Sequence, residues 1–491
     1  MTDQSAPAAA AGTAAPPPAR LEPNAIGVAQ DTVIGMASSA PAATVGGSLA
    51  VLAVATAYGS GPNLIIMAIP MLIIANSYRR LNLWNANCGA SFEWGGRAIS
   101  PYLGFLTGWF MIVAYIVGTV FEILLLGPAV LQIFGSSSTS AWQWIFIVTV
   151  VGLIMLVIAV VGIRITARVQ VSMALIEYLI LIGFAIAGLI WVLAHHAGTV
   201  PITSGWFSLS GIGGRGSAVA GFLTAVFIYG GWDGTLYVNE EVKHRRVNPG
   251  RAAIMAVALL AVIYTLAQVG LQGVVPGKTL NASDSPLITI AQAMGGSNWA
   301  KVMALSIALS VIATTGTGIV LSSRIVYGMA SYRALPGFLA NVSRKYSTPA
   351  IASVIVGLLL IAVTWIYLLA TSIQSAFQDV IYVTGVLFSV FYILTALATI
   401  VYYRRRLFGR AWDTLVLGVL PLAAAAFLGW ILVRYLQTQV SLAEKWTLVG
   451  IIGVGVALMF SARFILKSPF FQIPRESEPR AALSGGHRST T

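Results

Sequence analysis

The sequence predicts an all-α membrane protein with twelve transmembrane helices. Of its 491 residues, 58% are hydrophobic and only 9% are charged, a composition that excludes a water-soluble domain of this length. Charge-free stretches of about 20 residues recur along the chain, and a helix needs about that many apolar residues to cross a bilayer. With the N-terminus placed inside, 23 of the 28 Lys and Arg residues lie on the cytoplasmic side, the positive-inside distribution of membrane proteins.

Charged residues and turn-forming residues separate the predicted spans. The stretch from Asp31 to Arg79 carries no charge and divides at the turn 58–62 into spans 1 and 2. The stretch from Arg97 to Arg164 contains one charge, Glu122, and divides at the serine-rich turn 135–141 into spans 3 and 4. The remaining spans are predicted at 169–194, 218–240, 252–274 and 299–323, twice between 345 and 404, and at 414–433 and 446–464. An even number of spans leaves both termini in the cytoplasm.

The ends of the chain and its charge exclude several other classes of protein. Residues 1–25, rich in Ala and Pro, lack the compact apolar segment of a cleaved signal and are predicted to be a disordered cytoplasmic tail. Residues 467–491 are predicted to be a second cytoplasmic tail. A single cysteine, Cys88, excludes an internal disulfide framework. The basic residues that give the net charge of +13 lie mainly on the predicted cytoplasmic side. The expected partners are therefore a lipid bilayer and a small molecule, with no nucleic acid.

No His/Cys cluster, nucleophile motif or phosphate-binding loop occurs in the sequence. We therefore expect no enzyme activity, no cofactor and no metal site. The expected location is the cytoplasmic membrane, as a monomer or homodimer.

Span 6 contains the most unusual run of the chain, YGGWDG at residues 229–234. Three glycines allow the backbone to leave helical geometry, and Asp233 would then lie at mid-membrane depth. An acid there costs at least ~2.5–3.5 kcal/mol, and a broken helix is tolerated in a bilayer only where it is buried in protein or lines a watery cavity. The run therefore predicts a small-molecule site inside the membrane.

Span 1 carries a matching interruption, SSAPAATVGG at residues 38–47, with Pro41 in the middle of the span. Proline removes a backbone hydrogen bond and kinks a helix. Interrupted helices at corresponding positions of two halves indicate a transporter site built on an inverted repeat. Spans 1–5 and 6–10 are similar in length, and an odd number in each half forces opposite orientations. We therefore predict a five-plus-five repeat, at about 32–196 and 218–403.

Three motifs in this order resemble the amino acid–polyamine–organocation (APC) family. Residues 229–251, YGGWDGTLYVNEEVKHRRVNPGR, are similar to the signature at helix 6. Residues 323–330, SRIVYGMA, are similar to the loop after helix 8, and Tyr78 with GASF at 89–92 to the loop between helices 2 and 3. The resemblance covers residues 26–410, the predicted transporter core, and leaves helices 11 and 12 at 411–466 outside it. It implies the leucine-transporter-type fold, with substrate held between broken helices 1 and 6.

Two departures from the family pattern bear on the substrate and the coupling ion. Many members carry Gly-Ser-Gly at the helix 1 break, whereas this chain has SSAPA at 38–42, which is similar to the putrescine-importer branch. Many members also place a lysine seven residues after the helix 5 glutamine, here Gln170, where it is thought to bridge helices 1 and 8 at the sodium position of sodium-coupled relatives. In this chain that residue is Glu177, which reverses the local charge.

The two breaks together form the candidate substrate site. A half-helix N-terminus at the helix 1 break suits a substrate carboxylate, although its small residues would also serve close helix packing. Asp233 is interpreted as the partner of a substrate amine or as a protonatable gate; the alternative is that it caps a half-helix. The aromatic rings of Phe227 and Trp232 are interpreted as cation–π contacts to the substrate amine. The predicted substrate contacts are Ser38, Ser39, Ala40, Pro41, Ala42 and Thr44 in span 1, and Phe227, Gly230, Gly231, Trp232 and Asp233 in span 6.

Buried acids supply the candidate coupling groups. Glu177 stands alone in an apolar span, and a buried carboxylic acid can exchange a proton near neutral pH. Alternatively its charge would help to bind sodium, with the hydroxyls of Ser310 and Thr314 on helix 8 as further ligands, or these hydroxyls serve interhelical packing. Asp233 is a second candidate for ion coupling. Glu122 is predicted to face the pathway or to pair with a neighbour.

The predicted cytoplasmic gate consists of Glu240 and Glu241 at the end of helix 6, joined by Glu93. The nearby basic residues at 243–251 are the expected ion-pair partners.

The sequence thus predicts a secondary active transporter that moves an amino acid or a related organic amine across the cytoplasmic membrane by alternating access. Proton-coupled import is the first interpretation, and sodium coupling the second. A polyamine importer of the putrescine type and a non-transporting substrate sensor of the same fold are the alternatives.

Overall fold

The computed structural model describes residues 20–56, 58–136, 140–208, 214–283, 285–370 and 373–478. The predicted tails, 1–25 and 467–491, lie partly outside these residues and stay predictions, as do the domain boundaries. Within the described residues the chain is helical and contains no strand, only an isolated parallel bridge between Ile26 and Val242. The prediction of an all-α membrane protein is confirmed.

Seventeen helices are present in the described residues. They are α1 (Val28–Ala37), α2 (Pro41–Thr56), α3 (Ser60–Trp84), α4 (Ser91–Ala98), α5 (Pro101–Leu124), α6 (Leu126–Ile133), α7 (Ala141–Val161), α8 (Ile163–Leu193), α9 (Gly214–Tyr229), α10 (Asn248–Leu271), α11 (Gly277–Asn281), α12 (Pro286–Ser331), α13 (Ala350–Ala370), α14 (Ile373–Tyr402), α15 (Ala411–Thr414), α16 (Leu420–Thr438) and α17 (Leu442–Phe460). A π-helical segment, Leu415–Val419, joins α15 to α16, and a second one, Ser461–Ile465, follows α17.

Eleven candidate membrane spans occur in the described residues, each long and apolar enough to cross a bilayer. They correspond to predicted spans 1–5 and 7–12. Predicted span 6 is interrupted: α9 contributes 16 residues, and the chain continues as a 3₁₀ turn, Trp232–Leu236. The count of twelve and the inverted repeat therefore stay predictions.

Several helices run past their predicted ends, because charged residues occur inside helices as well as in loops. The helix α8 begins at Ile163 and includes Arg164 and Arg168, upstream of the predicted start. The helix α12 extends over Pro286–Ser331 and bends at Gly295 and Gly296, where φ is −148° and 69°. Charge-free stretches therefore locate the part of a helix that is buried in the membrane, and they omit the charged turns at its ends.

The helix 1 break follows from Pro41. Helix α1 ends at Ala37 and α2 begins at Pro41, where a proline at the first position needs no hydrogen-bond acceptor for its nitrogen. Ala40, between them, has a φ of 41°. The carbonyl of Ala37, which the helix would otherwise satisfy, accepts a hydrogen bond from the Oγ1 of Thr314 at 2.7 Å. A side chain on α12 therefore replaces part of the broken backbone ladder.

The helix 6 break follows from Gly231, whose φ is 107°. This left-handed conformation favours glycine. A Cβ atom placed on Gly231 would lie 2.7 Å from both the carbonyl oxygen and the Oγ of Ser38. The hydroxyl of Ser38 donates to the carbonyl of Gly231. The two helix breaks therefore contact each other directly.

The broken helices occupy the centre of the bundle. Helices α1 and α2 pack against α8, α9, α10 and α12, whereas α16 and α17 contact the bundle from one side through α14, α5 and α9. Large apolar side chains are exposed on the outer helices, among them Phe146 and Val157 on α7, Leu179 on α8 and Ile366 on α13. In a bilayer these side chains face lipid, so the polar residues are concentrated inside.

Candidate functional site

A small cavity lies where the two helix breaks meet α5 and α14. Its accessible volume is ≈ 20 Å³, about the space of one water molecule. An organic molecule can enter only if the surrounding helices separate. The wall consists of Ser38, Ser39, Thr44, Ala114, Tyr115, Gly118, Thr119, Glu122, Phe227, Gly230 and Phe388.

Glu122 is the one charged side chain among these wall residues. It is buried, its Oε1 accepts a hydrogen bond from the Oγ1 of Thr44 at 2.7 Å, and its Oε2 has no partner among the described residues. Glu122 shares one face of α5 with Tyr115 and Thr119, because side chains three, four and seven positions apart in a helix point to the same side. This polar face was the signal in the sequence that would have favoured Glu122 over the other acids.

Asp233 is buried outside the cavity wall. Its carboxylate accepts hydrogen bonds from the hydroxyls of Tyr237 and of Tyr392, the latter at 2.8 Å. Trp232 stacks on the ring of Tyr392 with a centroid distance of 5.3 Å, and Tyr78 meets Trp232 edge-on at 5.1 Å. Aromatic side chains thus enclose this acid and satisfy it, as buried polar groups require.

Five further predicted contacts do not line the cavity, namely Ala40, Pro41, Ala42, Gly231 and Trp232. The predicted contacts that do line it are Ser38, Ser39, Thr44, Phe227 and Gly230. Sequence reasoning missed the wall residues on α5 other than Glu122, and Phe388 on α14.

Glu177 on α8 reaches the first turn of α2. Its Oε1 accepts a hydrogen bond from the N–H of Ala42 at 2.9 Å, and its Oε2 has no partner among the described residues. Ser310 accepts from the N–H of Ala43 at 3.3 Å. The Oγ1 of Thr314 lies 2.7 Å from the carbonyl of Ala37 and 3.0 Å from that of Ser310. The structure thus brings three of the four predicted coupling side chains to the helix 1 break, whereas the fourth, Asp233, is bonded to Tyr237 and Tyr392.

No group of three or more His, Cys, Asp or Glu side chains that could hold a metal ion occurs in the described part of the chain. The candidate oxygen ligands for a hard cation are those of Glu177, Ser310 and Thr314 around the helix 1 break.

A buried ion pair lies at the predicted cytoplasmic end of the bundle, the end at which α1 begins. Arg324 on α12 donates from Nε and Nη2 to the two carboxylate oxygens of Glu241, each at 3.0 Å, and both side chains are fully buried. The carbonyl of Glu241 accepts from the N–H of Ala25 at 2.8 Å, and the N–H of Lys243 donates to Ile26 at 2.9 Å. The start of helix 1 is thus paired with the end of helix 6.

The other two predicted gate acids belong to separate contacts. Glu240 accepts a hydrogen bond from the N–H of Cys88 at 3.1 Å, and burial raises the pKa of Glu240. Glu93 bonds to Arg97 at 2.6 Å and to the hydroxyl of Tyr332 at 2.5 Å. The ion-pair partner of Glu241 is Arg324 on α12. It is not one of the basic residues at 243–251, which the position of Glu241 in the sequence suggested.

The family described as amino acid permease matches residues 28–461 of the chain. The large neutral amino acids transporter small subunit 2 of Homo sapiens is 30% identical over 157 residues, 32% of this chain and 28% of that protein. The methylthioribose transporter of Bacillus subtilis is 24% identical over 313 residues, 60% of this chain and 65% of that protein. The gamma-aminobutyric acid permease of the same organism is 20% identical over 313 residues, 62% of this chain and 65% of that protein.

These matches span less than two thirds of each relative's own length. All three relatives are named as transporters or permeases, in agreement with the expectation of a non-enzymatic protein.

Proposed function

The chain belongs to the amino acid permease family, a branch of the amino acid–polyamine–organocation group, and from this premise we propose that it is a secondary active transporter of an amino acid or a related organic amine. One observation carries the proposal: a small cavity lies between two contacting helix breaks, and the acid in its wall, Glu122, has an oxygen without a partner among the described residues. Sites at the interface of broken helices suit alternating access, because half-helices can move separately on the two sides of the substrate.

We further propose that transport is import coupled to protons. Glu122 and Glu177 are both buried, each has one unpaired oxygen, and neither forms an ion pair within the described residues. A carboxylate in such a place needs a cation or a proton. A single proton neutralises a carboxylate without further ligands, whereas sodium needs several oxygen ligands arranged around it. We therefore propose the proton as the coupling ion.

The paired ends of helices 1 and 6 support a common movement of the two helices. Because Ala25 and Lys243 form backbone hydrogen bonds across the two segments, separating Glu241 from Arg324 would release both helices from α12 together. In the proposed cycle, helices 1, 2, 6 and 7 rock against the others. The termini lie in the cytoplasm and the protein resides in the cytoplasmic membrane, as a monomer or homodimer.

The test is uptake into proteoliposomes containing the purified protein, with imposed proton or sodium gradients and a panel of radiolabelled amino acids and amines. We expect accumulation that follows the proton gradient and persists when sodium is replaced by choline. Glu122→Gln should abolish saturable uptake. Glu177→Gln should retain substrate exchange and lose gradient-driven accumulation.

A buried acid outside the site supplies the control. Glu444 on α17 is buried and bonded to Tyr435 at 2.8 Å, so Glu444→Gln should leave transport unchanged. Saturable binding without uptake would identify a sensor and contradict transport. Accumulation that follows sodium alone would contradict proton coupling.

A further inference from the structure

The N-terminus of α2 has no free backbone donor at its first two residues. A half-helix N-terminus of this kind attracts anions, and a substrate carboxylate is the usual occupant in transporters with broken helices. Here the first residue is Pro41, which has no N–H. The N–H of Ala42 donates to the Oε1 of Glu177 at 2.9 Å. The protein thus places its own carboxylate where a substrate carboxylate would bind.

The next two backbone donors are also engaged. The N–H of Ala43 donates to the Oγ of Ser310 at 3.3 Å, and the N–H of Thr44 donates to the carbonyl of Ala40 at 2.7 Å. A helix start exposes at most four N–H groups to a ligand. In this chain one of the four is missing and the other three have partners inside the protein.

The hydroxyl groups in the cavity wall are donors to the protein as well. A hydroxyl has one hydrogen to donate and two lone pairs that accept. The five hydroxyls and their acceptors are Ser38 to the carbonyl of Gly231, Ser39 to Gly35 at 3.4 Å, Thr44 to either Ser39 or Glu122, each at 2.7 Å, Tyr115 to Gly231 at 3.3 Å and Thr119 to Tyr115 at 2.7 Å. The carbonyl of Gly231 accepts from two of these hydroxyls, and that of Ser39 also accepts from Tyr264 at 2.8 Å. With their hydrogens directed to groups of the protein, the wall hydroxyls leave lone pairs for a ligand in the cavity.

The remaining features of the wall favour a cation. Among the described residues, Glu122 contributes a carboxylate oxygen with no partner, and no Lys, Arg or His lines the cavity. The rings of Tyr115, Phe227 and Phe388 also belong to the wall, and aromatic faces attract cations. An ammonium group has three donors and no acceptor, which complements this set of groups, whereas a carboxylate has only acceptors.

We propose that the substrate is a cationic amine without a carboxylate, and that Glu177 determines this specificity by occupying the N-terminus of α2. The inference rests on the proposed transport function and narrows its substrate class. Glu177 acts here as a positioning residue, since it does not line the cavity. Its effect on specificity requires only an acceptor atom at Ala42, and not a negative charge.

Matched pairs of compounds that differ only in the α-carboxylate test the substrate class. Suitable pairs are agmatine and arginine, putrescine and ornithine, cadaverine and lysine, 2-phenylethylamine and phenylalanine, and isoamylamine and leucine. Binding to the purified protein and uptake into proteoliposomes are measured for both members. For every pair that binds, we expect the amine to be preferred by about tenfold or more, the ratio that a hydrogen bond to a charged group typically supports. A pair in which the amino acid is preferred, or in which the two bind equally, overturns the inference.

Two substitutions at one position separate the positioning role of Glu177 from its charge. Glu177→Ala frees the N–H of Ala42 and should shift the ratio by about tenfold towards the carboxylated member. Glu177→Gln keeps an acceptor at that N–H and should retain the wild-type ratio. Glu444→Ala, which removes a buried carboxylate from α17, is the matched control and should also retain it. A wild-type ratio in a folded Glu177→Ala variant, or a shifted ratio in Glu177→Gln, would overturn the role of Glu177.

The outcomes also separate this inference from the transport proposal. Preferred uptake of amino acids would overturn the substrate class and leave transport intact. A folded, monodisperse protein that binds and transports neither member of any pair would contradict the proposed function, and the inference with it.

Discussion

Breaking the buried ion pair between Glu241 and Arg324 should open the predicted cytoplasmic gate. The pair is bidentate, with both contacts at 3.0 Å and both side chains fully buried. Removing one partner of a buried pair leaves an uncompensated charge and costs about 3–5 kcal/mol. Because an open gate would admit water to that charge, the penalty falls mainly on the closed state. A change of about 3 kcal/mol shifts the ratio of open to closed molecules roughly 150-fold.

The chain contains its own reporter of this opening. Cys88 is the single cysteine of the sequence and is fully buried, and its N–H contacts Glu240 at 3.1 Å. Burial raises the pKa of the Cys88 thiol, as do the charges of Glu240 and Glu241. We therefore expect slow reaction with a maleimide in the wild type. Reaction should be about a hundredfold faster in Glu241→Gln and in Arg324→Met.

The double variant Glu241→Met/Arg324→Met should restore slow labelling, since apolar replacement of both partners of a buried pair is often neutral or stabilising. It also removes an ambiguity. If electrostatics at the thiol alone were responsible, loss of the Glu241 carboxylate would speed the reaction and loss of the Arg324 guanidinium would slow it, because the two charges shift the pKa of Cys88 in opposite directions. Single variants that change labelling in opposite senses, or a double variant that labels as fast as either, would refute the reasoning.

An exposed ion pair before the start of helix 1 provides the control. Arg164 contacts Glu22 at 2.6 Å, and the two side chains are 53% and 36% exposed. Such pairs contribute about 0–1 kcal/mol. Arg164→Met should therefore leave the labelling of Cys88 unchanged.

Three further predictions follow from single contacts. Asp233→Asn should lower the melting temperature, because one of its two tyrosine bonds loses its acceptor at a cost of ~1–3 kcal/mol, while substrate affinity stays within about threefold; a large loss of affinity at an unchanged melting temperature would contradict this. Gly231→Ala should abolish uptake and destabilise the fold by at least ~1–3 kcal/mol, given a φ of 107° and no room for Cβ; wild-type uptake would exclude that strain. Burial raises the pKa of Glu240 above its ordinary 4.5, so the native state holds this proton more tightly than the unfolded state and stability falls as the pH rises from 4.5 through the raised value. In Glu240→Gln the fall in melting temperature over this range should be smaller than in the wild type, and equal slopes would contradict the assignment.

The two helix breaks could be predicted from the sequence because their causes are local. Pro41 cannot donate a backbone hydrogen bond wherever it stands, and a glycine run permits the left-handed conformation that Gly231 adopts at φ 107°. Neither feature depends on which helices pack around it. The contact between the breaks, in which Ser38 donates to Gly231, joins residues far apart in the chain and has no local signature.

The partners of the buried acids could not be predicted, because they come from distant helices. Tyr392 on α14 reaches Asp233, and Arg324 on α12 reaches Glu241. Closeness in sequence suggested that the basic residues at 243–251 would pair with Glu241, but several of these residues are exposed. Charge alone does not decide between a close partner in sequence and a distant one. The packing of the helices determines which residue is the partner, because a buried charge strongly destabilises the fold unless a partner reaches it.

The three acids near the breaks differ in how far the protein satisfies them. Asp233 accepts from two tyrosine hydroxyls. Glu177 accepts from the N–H of Ala42 at the positive end of α2. Glu122 accepts only from the hydroxyl of Thr44, which also contacts the carbonyl of Ser39. A buried charge gains most from a new partner where it has the fewest, and of the three acids only Glu122 lines the cavity. Under the proposed function, it is therefore the acid whose missing partner the substrate supplies.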